Sequence, residues 1–76
     1  SMTKLNTFMK KWIREAVEDC PEPFTSRDIF YAVLDARPNN SHYITNVYSV
    51  GMYLNIICKK EKVGKKNLYW RKDNED

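Results

Sequence analysis

Residues 59 to 72, KKEKVGKKNLYWRK, carry seven Lys and Arg against the single acid Glu61. Cations at this density suit contact with a polyanion. Leu68, Tyr69 and Trp70 interrupt the run, so the segment needs an apolar root as well as a basic tip. Catalytic chemistry has no comparable support. His42 is the sole histidine, and no Cys or His lies at metal-ligand spacing from it. A capping or phosphate-facing role in a turn suits it better than a zinc site. The sequence holds no Gly-rich phosphate loop or nucleophile motif. Glu15, Glu18, Asp19 and Glu22 read as a solvated helix end. The expectation is a non-enzyme with no cofactor and no metal.

Charge is distributed unevenly. Residues 1 to 36 hold five cations and six acids, residues 37 to 72 hold eight cations and only Glu61, and residues 73 to 76 add three acids. A near-neutral first half joined to a basic second half suits a scaffold that presents a surface to a polyanion. A basic face serving solubility alone is the plainer alternative. Seventy-six residues with 42% hydrophobic content predict one small folded domain. We assign it to residues 3 to 72, with Ser1-Met2 as a cloning remnant or start and residues 73 to 76 as an acidic disordered tail. No apolar run approaches the ~20 residues of a membrane span, and no signal-peptide pattern is visible. Cys20 and Cys58 lie far apart in sequence and read as buried free thiols, a single bridge between them being the alternative. The chain reads as soluble and intracellular.

The positioning elements follow from periodicity. Leu5, Phe8, Met9, Trp12, Ile13, Ala16, Val17 and Cys20 recur at helical spacing, predicting a first helix over about 4–20 that Pro21 and Pro23 stop. In PFTSRDIF, Thr25 as N-cap with Asp28 three residues on forms a capping signal, and Phe24 and Ile29 occupy the two positions of a hydrophobic staple. A second helix is expected over about 26–36. RPNNSH is turn chemistry. A third helix is predicted over about 43–59, with Ile44, Val47, Gly51, Leu54 and Cys58 inward, flanked by Val50 and Ile57. Gly51 on that stripe implies that another helix passes close by. The opposite face then presents Thr45, Asn46, Ser49, Met52, Tyr53, Ile56, Lys59 and Lys60. Two strands, about 61–64 and 68–72, close the domain as a hairpin, with Gly64 to Asn67 as its loop. Leu68 and Trp70 fall on one strand face and Tyr69 and Arg71 on the other. Trp12 and Trp70 are expected in the core.

This order, carried by FTSRDIFYAVLD, ITNVYSVGMYLNIICKK and KVGKKNLYWRK, resembles the winged helix-turn-helix family over the whole stretch from Leu5 to Lys72. The fold class implied is mainly α with a small β-hairpin. By that resemblance residues 43 to 59 would be the recognition helix in a DNA major groove, and residues 64 to 67 the tip of a wing on the backbone. The candidate DNA-binding residues are His42, Tyr43, Thr45, Asn46, Ser49, Met52, Tyr53, Lys59 and Lys60 on the helix side. On the wing they are Lys62, Lys65, Lys66, Asn67, Arg71 and Lys72. The exposed helix face has no arginine, so base reading falls to Asn46 and Asn55 for adenine and to Thr45 and Met52 for thymine methyls. That predicts weak or A·T-biased reading with a strong phosphate inventory. Tyr53 is expected to contact phosphate and Tyr48 to pack inward. Lys65 and Lys66 could alternatively be lysines guarding a strand edge.

Double-stranded DNA is therefore the expected partner, for a transcription regulator or nucleoid-associated protein in the cytoplasm, the nucleoid or a nucleus. A protein-protein module within a larger assembly is the rival, favoured by outward Met52 and Ile56. A homodimer through the first helix, at Phe8 and Trp12, is a further expectation. No membrane association is expected.

Overall fold

The computed structural model describes residues 6–39 and 46–72. Three helices, α1 (Thr7–Asp19), α2 (Ser26–Ala36) and α3 (Val47–Ile57), precede an antiparallel hairpin of β1 (Cys58–Val63) and β2 (Lys66–Arg71). The fold is mainly helical with a small hairpin, an order compatible with a winged-helix topology.

Each helix begins where a short polar side chain can take the first free N–H groups. Asn6 caps α1, its Oδ1 accepting the Met9 N–H at 2.8 Å. Predicted positions 4 and 5 lie outside the described residues. For α2 the capping box forms as expected. Thr25 Oγ1 accepts the Asp28 N–H at 3.1 Å, and Asp28 Oδ2 accepts the Thr25 N–H at 2.9 Å. α3 starts later than the periodicity suggested, because Asn46 is its N-cap and accepts the Ser49 N–H at 2.7 Å. It also ends two residues early. Cys58 already pairs with Arg71, so Lys59 and Lys60 belong to β1 rather than to a helix end. Strand pairing there outweighs the weak helical preference of Ile56-Ile57-Cys58.

The core takes side chains from every element. Met9, Ile13 and Val17 of α1 meet Phe24, Ile29 and Val33, Val50 and Leu54 of α3, Cys58 and Tyr69. Each fully buried large apolar side chain contributes on the order of 1.5–3 kcal/mol. α1 is buried along a narrower stripe than expected: Trp12, Ala16 and Cys20 are half-buried, and Phe8 is 64% exposed. α3 is rotated from the expected orientation toward Val50, which carries Ser49 inward and turns Tyr48 out. α2 does pass beside Gly51, but a Cβ there would lie 3.5 Å from Ser26 Cβ, an ordinary van der Waals contact.

The hairpin is longer and tighter than expected. Val63 pairs with Lys66, leaving a two-residue turn of Gly64 and Lys65, with Gly64 at φ +63°. Glycine in the first turn position with positive φ matches the right-handed twist of the flanking strands. Asn67 is therefore a strand residue opposite Lys62. A feature not anticipated is that Phe24 pairs with Tyr69 on the other edge of β2, through bonds of 3.1 and 2.8 Å. This double bond pins β2 to the link between α1 and α2 and turns Tyr69 into the core. Tyr69 is 2% exposed, while Trp70, on the outer face opposite Lys59, is only half-buried. The core anchor of the hairpin is Tyr69, not Trp70.

Candidate nucleic-acid interface

Three elements converge on one groove. The start of α2 supplies Thr25, Ser26, Arg27 and Asp28, α3 supplies Val47, and the hairpin supplies Lys65, Lys66 and Asn67, around about 620 Å³. The helix begins with free N–H groups and a partial positive charge. Arg27, Lys65 and Lys66 are exposed there, against the single carboxylate of Asp28, which is held by the Thr25 N–H. Lys62 stands opposite Asn67 on the same strand face. The groove is a cationic, open, polar concavity bounded by two helix starts and a hairpin tip.

Other predicted contacts are occupied within the fold. Arg71 is the clearest case. Its Nη1 donates to the Val17 and Cys20 carbonyls at 2.8 and 2.9 Å, and its Nε lies 3.4 Å from Glu22. Its own N–H donates to Glu22 Oε2 at 2.7 Å. The guanidinium thus finishes the C-terminal end of α1 and ties it to β2. Lys72 Nζ donates to the Ile56 carbonyl at 3.0 Å, doing the same for α3. The Tyr53 hydroxyl accepts from Arg14 Nη1 at 2.8 Å, and Lys10 Nζ sits 5.8 Å from its ring centroid. That ring leans toward α1 rather than away from the domain. Asn55 Oδ1 accepts the Tyr69 hydroxyl at 2.8 Å, and Ser49 is buried.

The outward face of α3 is instead apolar. Tyr48 is 70% exposed, Met52 36% and Ile56 67%. Tyr48, expected to pack inward, is thus the most exposed of the three. Lys59 and Lys60 are exposed on β1. His42, Tyr43 and Thr45 lie outside the described residues. Arg27 is not among the residues that charge density singles out, although its place in the first turn after the Thr25 cap marks it as a cation beside a helix start.

Both cysteines are free thiols. Burial pushes the Cys58 thiol up from its ordinary value, against a smaller pull from Lys72 and Arg71. Burial also raises Cys20, with Asp28 adding to it. Thiols shifted this way stay protonated near neutral pH and are poor nucleophiles. Burial raises the Tyr69 hydroxyl too, with a hydrogen bond from Asn67 working the other way. Among the described residues no group of three His, Cys, Asp or Glu is placed to hold a metal ion. No helix among them is long and apolar enough to cross a membrane.

Comparison of the chain with protein-family models, curated proteins and solved structures finds no match.

Proposed function

We propose that this chain is a small double-stranded DNA-binding protein of the winged-helix type. It holds the duplex mainly by its phosphates, with the β1–β2 hairpin as a basic wing, and reads base sequence weakly. The observation that carries this reading is the groove in which Arg27 and the start of α2 meet Lys65 and Lys66 of the wing. Helix starts and exposed cations are the groups that position a protein on a duplex backbone. Specific reading needs amide or guanidinium groups aimed at base edges. On α3 the Asn55 carbonyl oxygen is held by Tyr69 and the Asn46 carbonyl oxygen caps the helix. Such a protein suits DNA architecture or a regulatory role that depends on a partner for site choice, in a nucleoid or nucleus.

The test is fluorescence anisotropy with labelled duplexes of different sequence, titrated across salt. Replacing Lys65 and Lys66 by alanine should weaken binding alike on all sequences and flatten the log–log salt slope by ~0.9 per lost contact. Absence of duplex binding at about 50 mM salt, or a double variant with unchanged affinity and slope, would overturn the proposal.

A further inference from the structure

α3 contains no charged residue, VYSVGMYLNII, yet Tyr48, Met52 and Ile56 stand on its outer face at i, i+4 and i+8. They form one line of about 12 Å along the axis. None of the three lines the cationic groove. We infer that this stripe docks an amphipathic helix of a protein partner, apolar on one face and acidic on its flanks. This goes beyond the DNA reading and uses a surface outside the cationic groove, with Met52 assigned to the protein partner instead of to a thymine methyl.

The spacing fits the occupant. Large apolar side chains two turns apart match the i, i+3/i+4, i+7 anchors of a helix lying along another helix. The borders set its charge. Tyr53, next to the stripe, carries Lys10 at 5.8 Å from its ring and the Arg14 guanidinium on its hydroxyl. Lys72 closes the far end on the Ile56 carbonyl, and exposed Lys59 and Lys60 follow immediately in sequence. The nearby acids are outnumbered: Glu18 shares a hollow with Arg14, Arg71 and Lys72, Glu22 is paired with Arg71, and Glu61 follows Lys60 on β1. An acidic flank meets cations on this rim; a basic one would be repelled.

The rim also argues against two other occupants. A second copy seated by two-fold symmetry would bring identical cationic rims together. Residues 73 to 76 carry no apolar side chain that could cover Tyr48 or Ile56. Duplex DNA would meet a face whose polar side-chain groups are few, the Tyr48 hydroxyl and the amide of Asn55, whose oxygen is already held by Tyr69.

The test uses a synthetic helix of about 18 residues, leucines on one face and glutamates on the other, beside its lysine counterpart. Titration followed by amide chemical shifts should show the glutamate peptide binding, with changes centred on Tyr48, Met52 and Ile56. The lysine peptide should bind at least ~10-fold more weakly. The double variant Tyr48→Ser, Ile56→Ser removes no charge; it should weaken the glutamate peptide at least ~10-fold and leave the urea midpoint and duplex affinity unchanged. Two results overturn the inference: equal or absent binding of both peptides, or shifts that map elsewhere. A serine variant that loses duplex affinity also overturns it, by making the stripe a DNA surface, and leaves the proposed function standing. Peptide binding at the stripe with no duplex binding would sink the DNA reading and keep this one.

Discussion

Arg71 separates an anchoring cation from a DNA-contacting one. The structure spends its guanidinium on two helix-end carbonyls and on Glu22. Hydrogen bonds from charged groups contribute about 1.5–3 kcal/mol each when measured by removal. Here the side chain is 35% exposed, and water can reach the released carbonyls, so the low end applies to the set. Arg71→Ala should cost about 2–3 kcal/mol, out of a total of roughly 4–11 kcal/mol expected for a domain of this length. At 4–8 °C per kcal/mol, the melting temperature should fall by roughly 10–20 °C. Arg71→Lys keeps the charge but loses the planar fork, so it should recover little of that loss. Urea unfolding followed by tryptophan fluorescence measures the stability. Duplex anisotropy, well below the variant's melting point, should show a salt slope equal to that of the parent protein. If Arg71→Ala unfolds at the parent's urea midpoint while its salt slope flattens by ~0.9, the residue is a phosphate contact and the anchoring argument fails.

Tyr69→Ala should destabilise by about 3–5 kcal/mol, because it empties a fully buried aromatic site, whereas Trp70→Ala on the outer face should cost clearly less. Equal losses in urea would contradict the assignment of Tyr69 as the anchor. Thr25→Ala should cost about 1 kcal/mol through loss of the α2 cap; calorimetry showing no shift would mean that the capping box carries no net stability. Alkaline pH should weaken the fold. Cys58 and Tyr69 are both raised in the folded state by burial, so above their ordinary values of 9.0 and 10.0 the unfolded chain sheds protons first. Their contribution is therefore intact below pH 9.0 and lost as pH rises beyond it. A urea midpoint that climbs between pH 9.0 and 10.0 would reverse that sign.

What was legible in the sequence follows from which interactions are local. The capping box at Thr25 and Asp28 lies within four residues, and α2 appears where it was expected. Gly51 marked the side of α3 that faces α2, although a Cβ there would make only ordinary contact with Ser26, so the approach does not itself require glycine. Strand alternation put Tyr69 and Trp70 on opposite faces, but it cannot say which face turns inward. That choice is made by the pairing of Phe24 with Tyr69, forty-five residues apart, and by the Tyr69 hydroxyl reaching Asn55. The same limit explains α3. Its residues are apolar nearly all round, so periodicity could not orient it, and packing against α2 and the hairpin turned Ser49 in and Tyr48 out. The candidate site suffered most from this. Charge density located the wing, while the use of Arg71 and Lys72 as helix caps depends on carbonyls far away in the chain.

Sorting the cations by partner bounds how tightly the protein can hold a backbone. Arg71 and Lys72 are engaged by carbonyls, and Arg14, Arg37 and Lys10 by Tyr53, Glu15, Trp12 and α1 packing. Arg27, Lys65 and Lys66 remain at the groove, with Lys62 beside Asn67 on the wing. If these four are the phosphate contacts, the log–log salt slope of duplex binding should be about −3.6. Affinity should then fall by roughly 150-fold between 50 and 200 mM salt. Were every Lys and Arg of residues 59 to 72 a contact, seven in all, the slope would approach about −6.3 and the loss would exceed ~5,000-fold. The two values are far enough apart for one salt titration to decide. A slope near the steeper value would require contacts beyond the groove, from exposed Lys59 and Lys60 of β1 or from Arg71 and Lys72 released from their carbonyls.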